Sequence, residues 1–188
     1  MKHQFILLSL LLLFSSRALS QDPEYPEKTR KVTAIYDTRQ DATVVRFGPM
    51  HIINFSSLQG EVGNLNEEGE LRLSAFFTYK GKTFVKPESL ALIFLSINRP
   101  DNRWELSRQK DFEIKADDGH WKIPNVAIVD SKNGNNIFVE SLGVSVPCEI
   151  FAKVANAKKV KMRLGDRNFD LGKEHLGPLR DLAGRAGC

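Results

Sequence analysis

Near the C-terminus, Val160, Met162 and Leu164 alternate with Lys159, Lys161 and Arg163. A period of two marks a strand with one apolar and one polar face, and here the polar face is uniformly basic. Gly165-Asp166-Arg167-Asn168 is turn chemistry. Phe169 and Leu171 then bring back apolar side chains, with Asp170 facing the other way. After Gly172 the period changes. Leu176, Leu179, Leu182, Ala183 and Ala186 recur at three- and four-residue spacing, which is one stripe of a helix. Pro178 removes a backbone donor and belongs in a first turn. The pattern therefore predicts a C-terminal helix near residues 173–186, loose over Lys173 to Gly177 and firm from Pro178.

Upstream, alternation and branched or aromatic residues predict strands over Val32 to Tyr36, Thr43 to Phe47 and Glu70 to Tyr79. Gly48-Pro49 breaks the second of these before Met50 to Phe55, which suggests an edge or a bend. Lys80-Gly81-Lys82 is tight-turn chemistry, so Thr83 to Val85 is expected to fold back as a hairpin strand. Leu90 to Ile97 is apolar at nearly every position and lies between Pro87 and Pro100. That length and those breakers predict a central strand buried on both faces. Trp104 to Leu106, Phe112 to Ile114, His120 to Ile123, Val126 to Val129 and Ile137 to Val146 complete the strand set, with Ser131 to Asn136 as a polar loop. Pro147 then opens a short helix near residues 148–155, with Ile150, Phe151 and Val154 on one side. Many short strands followed by two late helices predict a mainly β (or α+β) fold: an antiparallel sandwich or rolled sheet closed by the C-terminal helix.

The first twenty residues have a different character. Lys2 and His3 precede the apolar run Phe5 to Phe14, and Ala18-Leu19-Ser20 follows. This is the pattern of a signal peptide over residues 1–20, and the apolar run is too short to span a bilayer comfortably. Residues 21–30, with Pro23 and Pro26, read as an extended lead-in, and residues 31–188 as a single β-rich domain. The expectation is an exported protein, periplasmic or extracellular, cleaved near Ser20, with no transmembrane segment in the mature chain. Loss of Lys2 and Arg17 with the leader lowers the 27 basic residues to 25 against 23 acidic ones, and the net charge from +4 to +2. Basic residues are spread along the chain and balanced by acids, so the charge does not point to nucleic acid. The apolar fraction of 41% is enough for a packed core.

Cys148 and Cys188 are the only cysteines. Export permits a disulfide between them, which would tie the last helix to the body. Cys188 is the last residue, however, and chain ends are commonly mobile, so free thiols are expected.

Candidate chemistry is thin. No Gly-x-Ser-x-Gly elbow, phosphate loop or dinucleotide fingerprint is present. His51, His120 and His175 each lack a second histidine or cysteine at metal-ligand spacing, so no metal or cofactor is expected. Asn64 to Gly69 resembles the first half of a calcium loop, but its twelfth position is Ala75, where a bidentate Glu belongs. Asp117 and Asp118 form a carboxylate pair, and Asp-Asp-Gly is also ordinary turn chemistry. Trp104 and Trp121, near Arg99, Arg103 and Lys122, could form a sugar-stacking or anion site, but core packing is the expectation, because aromatics supply large buried area first.

From Thr43 onward the chain resembles a loose group of uncharacterised exported bacterial β-rich proteins. The resemblance is carried by Thr43-Val44 before Phe47-Gly48-Pro49, by Tyr79-Lys80-Gly81-Lys82 followed by Pro87, and by Ala157 through Gly165 with Phe169-x-Leu171 and Leu179-Arg180-Asp181-Leu182-Ala183. It implies the fold and export, and supplies no activity and no catalytic residues. The function expected is a non-catalytic binding or assembly module for a protein or glycan partner. The basic strand face of Lys159, Lys161 and Arg163 is its candidate contact surface. The alternative is an exported hydrolase or sugar-active enzyme that uses scattered carboxylates such as Asp117 and Asp118.

Overall fold

The computed structural model of the protein describes residues 31–54, 70–98, 111–124, 126–134 and 137–188. The signal peptide expected over residues 1–20, the lead-in expected over 21–30, the calcium-loop resemblance at Asn64 to Gly69 and the strand expected at Trp104 to Leu106 lie outside these residues. Among the described residues ten strands and two helices follow in order: β1 (Thr33–Asp37), β2 (Ala42–Asn54), β3 (Glu70–Lys80), β4 (Ser89–Asn98), β5 (Phe112–Ala116), β6 (Gly119–Ile123), β7 (Ala127–Gly134), β8 (Ile137–Pro147), α1 (Cys148–Asn156), β9 (Val160–Leu164), β10 (Arg167–Leu171) and α2 (Lys173–Ala186). All pairing is antiparallel. One sheet has six strands in the order β1-β2-β3-β4-β8-β7, and the other has four in the order β10-β9-β5-β6. The mainly β architecture expected from the alternation is present, with the two helices where the longer periods fall.

The sheets face each other through aromatic contacts. Phe94 of β4 is fully buried. Its ring lies 5.2 Å from that of Phe112 on β5 and 5.8 Å from that of Phe169 on β10. Leu71, Leu73, Leu90, Leu92, Ile114, Met162 and Leu164 join the same core, and so do the buried faces of both helices. Strand β4 lies between β3 and β8, as its composition demanded. Its inner face is fully buried and its outer face only partly so: Leu90, Leu92 and Phe94 are inside, while Ile93 and Leu95 are half-buried.

Four local expectations change. Strand β2 does not end at Gly48-Pro49 but runs through it as a bulge, with the register to β3 shifting between Phe47 and Met50. Gly48 has φ +98°, and a Cβ there would lie 2.6 Å from the Ser74 Cβ, so no other residue fits. Thr83 to Val85 forms no strand. Both edges of β3 are already taken, by β2 and β4, so no edge is left for a hairpin partner. Phe84 instead sets its ring edge-on to Tyr79 at 5.6 Å. Strand β7 continues to Gly134, through residues read as loop. It is an edge strand, where the polar side chains of Ser131 and Lys132 can face solvent, and Lys132 meets Asp130 at 3.2 Å.

The fourth change concerns α2, which is helical from Lys173 rather than from Pro178. Its first turn is held without help from the proline. The His175 and Leu176 N–H groups donate to the Gly172 carbonyl at 3.0 and 3.2 Å, and the Gly172 N–H donates to His175 Nδ1 at 3.0 Å. Leu176 and Leu179, on either side of Pro178, are both buried and hold the axis in register across the missing donor. His175 is thereby a helix-start residue.

The C-terminus of α2 decides the cysteine question. Gly187 adopts φ +66°, its N–H donates to the Gly184 carbonyl, and the Cys188 N–H donates to the Ala183 carbonyl at 3.1 Å. This pair of bonds is a Schellman motif, and it fixes the last residue instead of leaving it frayed. Helices α1 and α2 pack on each other, so Cys188 reaches Cys148 with a Cα–Cα distance of 5.3 Å, and the two are disulfide-bonded. Free thiols were expected from chain-end mobility, and the motif removes that mobility.

Candidate functional site

The outer face of the four-stranded sheet collects most of the polar chemistry. Phe112, Ile114 and Ala116 of β5 and Val160, Met162 and Leu164 of β9 point into the core. By alternation Glu113, Lys115, Lys161 and Arg163 point out, joined by His120 and Lys122 of β6 and by Asn168 and Asp170 of β10. The register arranges them in rows across the sheet. One row reads Lys122, Glu113, Arg163, Asn168, and the next reads His120, Lys115, Lys161, Asp170.

Glu113 organises the first row. Arg163 Nη2 donates to its Oε1 at 2.6 Å, and Lys122 Nζ stands 3.6 Å from the same oxygen. His120 Nε2 lies 3.1 Å from Oε2. The Glu113 side chain is only 12% exposed, so these partners replace water that it has largely lost. The Arg163 hydrogen bond, then that of His120, lower its pKa from 4.5 to about 2, with burial opposing them. Arg163 is raised in turn by Glu113, and its Nη1 is also spent, donating to the Gly165 carbonyl at 2.9 Å. The contacts with Arg163 and His120 thus favour the ionised form of Glu113. A Glu–His pair is two-thirds of a hydrolytic triad, but among the described residues no Ser, Thr or Cys is bonded to His120.

The sign of the Glu113 shift sets a pH dependence. A depressed carboxylate pKa contributes stability that is full above its unfolded value and is lost as pH falls from 4.5 toward about 2. Glu113→Gln is therefore expected to be less stable than the parent at neutral pH, with the gap closing across that acid window. Melting temperatures of both proteins at several pH values check this, and a gap that stays constant into acid would contradict it.

The residues singled out from sequence fare unequally. Lys161 stands on the face, exposed, with Asp170 at 3.8 Å in a solvent-screened pair. Lys159 is exposed one residue before β9, and Arg163 is occupied by Glu113 and Gly165. The face is therefore not uniformly basic, because β5 and β10 contribute carboxylates to it. Lys115, missed from sequence, sits directly opposite Lys161 on one side and His120 on the other. Its signal was the same alternation, in Phe112-Glu113-Ile114-Lys115-Ala116. Asp117 is spent on structure. At φ +46° it turns the chain from β5 to β6, and its carboxylate accepts the N–H groups of Lys158 and Lys159 at 3.1 Å. Asp118 is exposed in the same turn. Trp121 packs against the core, with its ring laid on Gly119, which favours the core over the stacking alternative.

A partly open cleft of about 360 Å³ adjoins the first row, lined by Asp111, Phe112, Glu113, Lys122, Ile123, Pro124 and Arg163. Among the described residues, no group of three or more His, Cys, Asp or Glu side chains is placed to hold a metal, and no helix is long and apolar enough to cross a membrane. No protein-family model, no curated protein and no solved structure matches the chain.

Proposed function

We propose that the protein is a non-catalytic binding module outside the cytoplasm, and that the outer face of the four-stranded sheet docks an anionic partner. The carrying observation is the second row, where Lys115 lies opposite Lys161 and beside His120. Like charges set directly opposite each other on a sheet oppose folding, and a partner's negative charge relieves that cost. Glu113 holds Arg163 in place, and Lys122, with a side chain 78% exposed, stays open to a partner. The Cys148–Cys188 disulfide supports the location, since such bonds persist in oxidising compartments. The leader-like pattern of residues 1–20 points the same way. The carboxylate-enzyme alternative gains nothing from Asp117, whose oxygens serve the backbone.

Retention of the disulfide-bonded protein on a sulfonated matrix tests the face. Lys115→Ser/Lys161→Ser is expected to elute at clearly lower salt than Lys153→Ser/Lys173→Ser, which removes equal charge from exposed helix positions. Equal elution of the two variants would mean that net charge acts without a docking face.

A further inference from the structure

We propose that the anionic partner is an acidic polysaccharide, with one sugar ring seated in the cleft beside Glu113 and neighbouring carboxylate or sulfate groups laid across Lys115 and Lys161. The proposal rests on the anion-docking reading above and narrows it to one chemical class.

The cleft and the lysine row ask for different things from one ligand. The cleft offers the exposed ring of Pro124, carboxylates from Asp111 and Glu113, and the cationic groups of Lys122 and Arg163. Both cations are already paired with Glu113, so a compact anion such as phosphate would meet two carboxylates there with little cationic charge to spare. A neutral sugar ring meets no such conflict. Its hydroxyls donate to the carboxylates, and its C–H face rests on Pro124. A volume of about 360 Å³ falls at the small end of ligand sites, which run from roughly 300 to 1,000 Å³. That suits a ring or two of a chain rather than a folded protein segment.

The lysine row lies two residues along β5 and β9 from the cleft row, about 7 Å away on the same surface. A polymer that alternates hydroxyl-rich rings with anionic groups presents both kinds of partner at that short interval. Other polyanions fit less well. Among the described residues, the exposed large apolar side chains are Ile35, Phe84, Val85 and Ile128, on β1, β7 and the segment after β3. None borders the row, so nothing there would insert into a bilayer. No Phe, Tyr or Trp side chain stands in either row for a nucleic-acid base to stack on.

Calorimetric titration of the disulfide-bonded protein at low ionic strength tests the class. The probes are a hyaluronan fragment and a keratan sulfate fragment, in which neutral and anionic rings alternate, together with polyphosphate and vesicles containing phosphatidylglycerol. At least one acidic oligosaccharide is expected to bind more tightly than polyphosphate or vesicles. Lys115→Ser/Lys161→Ser should weaken that binding roughly tenfold or more, from two lost charge contacts. Asp111→Asn, an exposed change that leaves the backbone bond from Gly165 to the Asp111 carbonyl intact, should weaken the sugar several-fold while polyphosphate, relieved of one negative charge, binds equally or more tightly. Polyphosphate or vesicles binding as well as the sugars, or an Asp111→Asn protein that binds sugar normally, overturns the polysaccharide assignment while the docking face stands. Failure of every polyanion to bind overturns the docking face as well.

Discussion

Phe94→Ala is expected to lower stability by roughly 3–5 kcal/mol, the range for truncating a fully buried aromatic. Phe94 is 0% exposed and lies between Phe112 and Phe169. It is therefore the point at which the six-stranded sheet grips two strands of the four-stranded one. Truncation leaves a cavity that neither sheet can close, because each is tied into its own ladder. Net stabilities of domains are about 5–15 kcal/mol, so the loss is a large share of the whole. Urea denaturation of parent and variant measures it through the shift in midpoint at constant slope. A loss below about 1 kcal/mol would mean that the sheets are joined elsewhere. Phe94→Leu, which keeps most of the volume, should recover much of the difference.

Removing the disulfide comes next in size. Cys148 and Cys188 are separated by 40 residues. Closing a loop of that size in the unfolded chain gives about 4 kcal/mol of stabilisation in the chain-entropy account. For a domain of this length that amounts to a fall in melting temperature of about 10 °C for Cys148→Ser/Cys188→Ser. Reduction of the parent protein should produce a matching fall. The buried stripe of α2 includes Leu176, Leu179 and Leu182, so the helix should stay docked in the variant below its lower melting point. An unchanged melting temperature would show that the Schellman motif and helix packing already hold the terminus unaided. The proposed docking face lies on the other side of the small sheet, so any polyanion binding should survive the double substitution at temperatures below that melt.

The chain carries a good deal of this architecture openly. Wherever one face of a strand meets the core and the other meets water, period-two alternation states it locally, as in Val160 to Leu164 and Glu70 to Leu73. The stripe of Leu176, Leu179 and Leu182 announces α2, and the apolar run of Leu90 to Leu95 announces a central strand, because each follows from the geometry of a single element. The shortage of catalytic motifs is equally a property of the linear chain.

What the linear chain conceals depends on which strands become neighbours. Lys159, Lys161 and Arg163 look uniformly basic until β5 lies against β9 and sets Glu113 against Arg163, fifty residues away in sequence. The same pairing creates the Lys115–Lys161 opposition on which the functional proposal rests. Thr83 to Val85 has the composition of a hairpin strand, yet no edge of β3 was free to receive it. Pro178 reads as a helix start, but buried leucines on both sides and the bonds at Gly172 carry the helix past it. Cys188 reads as a frayed end until Gly187 turns it back and α2 packs on α1. Alternation, turn chemistry and helical period act between residues a few positions apart and can be read in place. Strand order, ion pairing and cross-linking join residues that approach each other only once the core has closed.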